Sequence, residues 1–164
     1  MTNRSSSSHL GTCVFGGAAI ALGVIGFAFR DFAATWQRVE SSVPHREVLA
    51  LLAAACEIAC GLAILWRRSR RAGAALLAVL YAIFVLLWVQ QILRAPSVYD
   101  SWGNFFEELS LLIAALIVFA SASPRHSLWA RIEAPISRIY GICPISFAAV
   151  HFIYLGGAAS YVPA

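Results

Sequence analysis

The residue best placed to do chemistry is a glutamate inside an apolar segment. Residues 51–65 read LLAAACEIACGLAIL, and Glu57 is their one charged residue. A charge at the centre of a membrane costs roughly 2.5–3.5 kcal/mol on insertion scales, so such residues usually face protein or water and often have a function. Two interpretations stay open. Glu57 is a proton relay, a ligand anchor or a quinone-site acid, or it is a neutral carboxylic acid that hydrogen-bonds a neighbouring helix.

Helical spacing predicts the direction in which Glu57 points. Small residues share its face of the helix: Ala50, Ala53, Ala54, Cys60 and Gly61. Large apolar residues lie on the opposite face: Leu51, Leu52, Ile58, Leu62 and Leu65. Because small residues mark helix–helix contacts in membranes, we expect Glu57 to face other helices and the leucines to face lipid.

A second acidic place is SWGNFFEEL, residues 101–109. Its polar start can cap a helix, and Glu107 and Glu108 then sit in the first turn, where the helix dipole favours carboxylates. In that interpretation the two glutamates stabilise the start of the helix and have no catalytic or binding role. Alternatively, Asn104 and Glu108 share a helix face and line the outer mouth of a bundle, together with two residues from the end of the first helix, Arg30 and Asp31.

Cysteines and histidines indicate no metal or redox centre. Cys56 and Cys60 are separated by three residues, one more than in a thioredoxin-type pair, and buried cysteine commonly behaves as a small hydrophobe. The four histidines are scattered along the chain, and His151, a weaker candidate, is the one that lies in an apolar run. We therefore predict no metal site.

The composition indicates an integral membrane protein. The chain has 164 residues, of which 60% are hydrophobic and 12% charged, whereas soluble domains are about 25% charged. All 12 basic residues are arginines, and they lie between apolar runs, as membrane anchors do. The lipid bilayer is therefore the expected partner, and nucleic acid is not.

Five apolar runs are long enough to cross a bilayer, which needs about 20 residues. Because lipid cannot satisfy free backbone groups, these runs should be helices. The predicted fold class is an all-α polytopic membrane protein, a four-helix transmembrane bundle with a fifth transmembrane helix. The runs are roughly 12–32, 48–66, 73–93, 105–122 and 139–159.

The connecting segments predict an orientation. Four arginines lie within residues 67–71, and the positive-inside rule places that turn in the cytoplasm. The N-terminus is then cytoplasmic and the C-terminus outside. The predicted organisation is a polar, disordered N-terminus (1–11), the bundle (12–122), a cytoplasmic linker (123–138) and the fifth helix (139–164).

The first and last apolar runs are similar in sequence, which suggests an internal repeat. Residues 15–39 and 140–164 align without a gap, and FAATW resembles LGGAASY near the end of each run. Membrane proteins are often built from repeated halves. Either the fifth helix begins a second copy of the bundle, with the chain truncated there, or two unrelated helix ends look alike.

Several motifs together resemble the DoxX and DoxX-like family of small membrane proteins. They are GFAFRDFAATW, SSVPHREVL, ACEIACGLAIL with Glu57 and Gly61, WRRSRRAGA, and SWGNFFEELSLL. The resemblance implies a helical bundle in the bacterial cytoplasmic membrane. Some relatives are subunits of quinone-linked oxidoreductases or associate with membrane oxidoreductases.

The sequence leaves three alternative functions open. The first is a membrane subunit of a quinone-linked oxidoreductase system, with quinone as cofactor and a membrane or soluble oxidoreductase as partner. The second is a non-enzymatic protein for membrane assembly, stabilisation or transport. The third is a truncated remnant of a longer membrane protein.

Overall fold

The computed structural model describes residues 3–33, 37–124 and 126–153, and these are all-helical apart from their connections. Four helices are each long and apolar enough to cross a membrane, which confirms the predicted four-helix unit. The helices are α1 (Asn3–Phe29), α2 (Arg46–Leu65), α3 (Arg70–Arg94), α4 (Tyr99–Ser121), α5 (Leu128–Tyr140) and α6 (Cys143–Ile153).

The first four helices form an antiparallel bundle. Short connections join α2 to α3 and α3 to α4, so consecutive helices pack side by side. Contacts between α1 and α4 close the ring. The α1–α2 loop (residues 30–45) and the short α3–α4 connection therefore lie at the same end of the bundle, and the loop reaches from that end to the candidate site inside the bundle.

The predicted buried face of α2 is confirmed, whereas the opposite face is exposed only in part, because Leu51 and Ile58 are half-buried. Every small residue assigned to the Glu57 face is buried, whereas Leu52, Leu62 and Leu65 are exposed. The small residues allow α1 and α2 to approach closely. A Cβ atom at Gly23 would lie 2.5 Å from the Ala54 carbonyl oxygen.

Two segments that flank the four-helix bundle differ from expectation. Helix α1 already begins at Asn3, so most of the segment expected to be disordered is helical. Extending a helix that packing has already nucleated costs little. The expected linker contains α5, whose Trp129 ring packs edge-on against Phe119 of α4, with 5.1 Å between centroids.

The predicted fifth span is described only in part. Its described portion includes the 11-residue helix α6, which packs against α4. Residues 154–164 lie outside the described residues, so the fifth transmembrane helix and the internal repeat stay predictions.

Substitution Gly23→Ala tests the close approach of α1 and α2. The new methyl group would collide with the α2 backbone, and we expect a loss of about 1–3 kcal/mol in the free energy of unfolding. Gly17→Ala is the matched control, since its Cβ meets nothing within 4 Å and alanine favours a helix by up to about 1 kcal/mol. Thermal unfolding in detergent measures both. Equal stability of the two variants would contradict the proposed packing.

Candidate functional site

Three helices bring two carboxyl groups and a phenol together inside the bundle. Glu57 of α2 is 1% exposed, Glu108 of α4 is 0% exposed, and Tyr81 of α3 is also fully buried. Glu108 interacts electrostatically with Glu57, and the Tyr81 hydroxyl interacts with both. We call Glu57 and Glu108 the acid pair. The sequence suggested both carboxyl groups as candidates, and the fold brings them close enough to interact electrostatically.

The α1–α2 loop folds back to meet the acid pair. The side chain of Gln37 is buried, and its Nε2 donates a hydrogen bond of 2.5 Å to Glu57 Oε1. Its Oε1 accepts a hydrogen bond of 2.9 Å from the backbone N–H of Ala33. Since a backbone N–H can only donate, the amide oxygen must face Ala33 and the NH₂ group must face Glu57.

Part of the site has unused hydrogen-bonding capacity. Both carboxyl oxygens of Glu108 and the hydroxyl of Tyr81 have no hydrogen-bond partner among the described residues. Buried polar groups are normally paired, so these three atoms are suited to water, a proton or a polar ligand.

The described residues supply no side-chain charge that balances the acid pair. No described basic side chain forms an ion pair with Glu57 or Glu108. An unpaired buried carboxylate is costly, and two neighbouring ones are costlier still. The pair therefore needs a proton or a small cation, which is the chemistry that the arrangement supports.

A polar cavity, which we call the loop pocket, lies between the α1–α2 loop and α2. Its volume is about 620 Å³, and its lining includes Phe32, Gln37, Arg38, Glu40 and Arg46. Gln37 therefore stands between this cavity and the buried acid pair.

Arg30 and Asp31 hold the loop in place and do not reach the acid pair. Arg30 pairs with Glu47 at 3.3 Å, and both side chains are exposed. Asp31 pairs with Arg46 and accepts a hydrogen bond from the Phe32 backbone N–H. The Arg46 hydrogen bond lowers the pKa of Asp31, and the Phe32 bond acts in the same direction. These residues tie the end of α1 to the start of α2.

The remaining predicted site residues lie apart from the acid pair. The Asn104 side chain donates to the Asp100 carbonyl and carboxylate, at 2.8 and 3.2 Å, so it stabilises the first turn of α4 locally. His151 lies in α6, and its side chain is outside the described residues. No group of three or more metal-ligating side chains occurs in the described part of the chain.

The two neighbouring cysteines pack close to the acid pair. Their Sγ atoms are 3.8 Å apart, and both thiols are free. Cys60 is buried, Cys56 is partly buried, and both contact the hydrophobic core. This fits the expectation that they fill space.

Sequence reasoning missed Gln37 and Tyr81. Gln37 follows a helix end in what reads as a simple connection, and only its tertiary contact shows its importance. The signal for Tyr81 was present, because its hydroxyl falls in the middle of the apolar run of α3. A buried tyrosine hydroxyl usually needs a partner.

A family model described as Methylamine utilisation protein MauE matches residues 5–99. Neither a curated protein nor a solved structure matches the chain. The assignment to the DoxX family is therefore wrong. Its motifs combined small-residue helix faces with a basic turn, features that many membrane bundles require. One of them, SWGNFFEELSLL, also lies outside the matched residues.

The ion pair of Asp31 predicts a pH dependence of stability. A carboxyl group whose pKa is lowered by folding stabilises the protein above its unfolded pKa of about 3.9, and this contribution is lost as pH falls through the folded pKa. We expect wild type to unfold at a higher temperature than Asp31→Asn at pH 7, and the difference to vanish well below pH 4. Thermal unfolding across pH measures this.

Glu47→Gln serves as the control for that experiment. It breaks an exposed pair, and such pairs contribute little. A constant difference between wild type and Asp31→Asn at every pH would rule out the ion pair as its cause.

Proposed function

This chain belongs to the MauE family of membrane proteins, and on that basis we propose that it is the membrane component of a redox system for methylamine utilisation. In this proposal, the acid pair accepts and releases protons that accompany quinone-linked electron transfer. The electrons pass between quinone and an oxidoreductase partner.

The observation that carries the proposal is the environment of Glu108. This carboxyl group is fully buried, neither of its oxygens has a hydrogen-bond partner among the described residues, and it interacts electrostatically with a second buried carboxyl group, that of Glu57. A carboxyl group with only a packing role would normally be paired with a neighbouring helix. Intramembrane acids that face a bundle interior are the usual components of proton relays.

An apolar cavity is lined by residues of the two helices that carry Tyr81 and Glu108. It is formed by α3, α4 and Trp129 of α5 and measures about 330 Å³, within the range of small-molecule sites. Its lining includes Ala78 and Ala82, which flank Tyr81 on α3, and Leu112, one turn beyond Glu108 on α4. Val79, another lining residue, is exposed on the lipid-facing surface. The cavity fits an apolar ring that enters from the bilayer.

The groups of the site hold, bridge or position the proton. Quinone reduction consumes two electrons and two protons, and its reverse releases them. Glu57 and Glu108 hold the exchangeable proton, and the Tyr81 hydroxyl is positioned to bridge them to water or to a ligand. Gln37 anchors Glu57.

Substitutions Glu57→Gln and Glu108→Gln test the proposal. Each keeps the shape of the side chain but removes its exchangeable proton, and we expect methylamine-dependent oxygen uptake to fall at least about tenfold, because positioned acids and bases typically contribute 10²–10⁴-fold. The host is a methylamine-growing bacterium whose own MauE-family gene has been deleted. Protein levels in the membrane are measured for every variant.

Glu47→Gln is the matched control on the same helix, and it should retain at least about half of the wild-type rate. Normal uptake with both acid-pair variants, in a host where deletion abolishes uptake, would overturn the proposal. That result would favour the non-enzymatic assembly role.

A further inference from the structure

Gln37 lies between the loop pocket and the acid pair. Among the described residues, it is the one that both lines the loop pocket and hydrogen-bonds a member of the acid pair. Its residue is 3% exposed, so its side chain fills the space between the cavity and Glu57. Phe32 and Val39 of the same loop pack against the hydrophobic core and support this arrangement.

Two hydrogen bonds fix the Gln37 amide. The N–H of Ala33 holds its oxygen, and the carboxyl oxygen Oε1 of Glu57 accepts from its NH₂ group. In a protonated carboxyl group, the carbonyl oxygen is the better acceptor and the hydroxyl oxygen carries the proton. The amide therefore favours a Glu57 in which Oε1 is the carbonyl oxygen.

We propose that Gln37 is a positioning residue that closes the loop pocket against the acid pair and directs the exchangeable proton of Glu57 to Oε2. The inference rests on the proposed role of the acid pair in proton transfer. It adds that proton exchange does not pass through the loop pocket, because a carboxamide has no readily exchanged acid proton to relay.

Different titratable and charged groups lie on the two sides of the Gln37 side chain. On the buried side, Glu57 is faced by Tyr81 of α3 and Glu108 of α4, with the thiols of Cys56 and Cys60 on its own helix. On the cavity side are the charged groups of the loop pocket, Arg38, Glu40 and Arg46. Without the Gln37 side chain, water in the pocket would reach the acid pair directly.

Carbodiimide labelling of the purified full-length protein tests the closure. Dicyclohexylcarbodiimide enters through the apolar phase, whereas a charged, water-soluble carbodiimide enters through water. Both modify protonated carboxyl groups, and mass spectrometry locates the product. In wild type, we expect the hydrophobic reagent to label Glu57 and the water-soluble reagent to label it at least about tenfold more slowly. In Gln37→Ala, labelling by the water-soluble reagent should rise about tenfold.

Ser42→Ala is the matched control, because it changes the same pocket without touching Gln37, and its labelling should equal that of wild type. Gln37→Met should also stay closed to the water-soluble reagent, since methionine fills similar space. Equal labelling of wild type and Gln37→Ala by the water-soluble reagent would overturn the closure.

Infrared spectroscopy tests the positioning by a separate readout. The carbonyl band of protonated Glu57 is identified by its loss in Glu57→Gln. In Gln37→Met the carbonyl loses its hydrogen-bond donor, so the band should move to higher wavenumber. An unmoved band would overturn the assignment of the proton to Oε2. Neither experiment requires turnover, so normal oxygen uptake by the acid-pair variants would refute the proposed function and leave these results standing.

Discussion

The acid pair is the constraint on which the rest of the structure depends. Two carboxyl groups inside a membrane bundle, with no described cation beside them, can persist only if helices shield them and protons or polar partners offset their charge. The small residues of α2 provide the shielding by letting α1 and α3 approach closely. Tyr81 and Gln37 then provide polar groups where lipid could not.

The α1–α2 loop takes part in this shielding. Ion pairs from Arg30 and Asp31 join the start of the loop to the start of α2. Arg30 and His45, at the two ends of the loop, adopt left-handed backbone conformations. Such conformations are unusual for residues other than glycine. Within the loop, Gln37 reaches Glu57 and donates a hydrogen bond to it.

The sequence features that indicate a membrane bundle do not identify its family. Small-residue faces and basic turns are physical requirements of the bilayer, and unrelated bundles satisfy them in the same way. These features indicated a membrane bundle but led to the wrong family. The MauE match covers α1 to α3 and ends at residue 99. Glu108 lies outside it, so its role rests on the geometry of this chain.

The sequence by itself determined the four spans, the packing face of α2 and the burial of Glu57, because hydropathy and helical period act locally along the chain. It also singled out Glu108 but left its environment open, since the first-turn position expected for it can equally face solvent. That expectation was wrong, because α4 begins at Tyr99 and the acidic residue of its first turn is Asp100. Only the tertiary structure decided that Glu108 lies beside Glu57, that Tyr81 completes the cluster, and that Gln37 closes it. Those contacts join residues 20 or more positions apart, and the relative rotation and depth of packed helices, which no local pattern encodes, determine them.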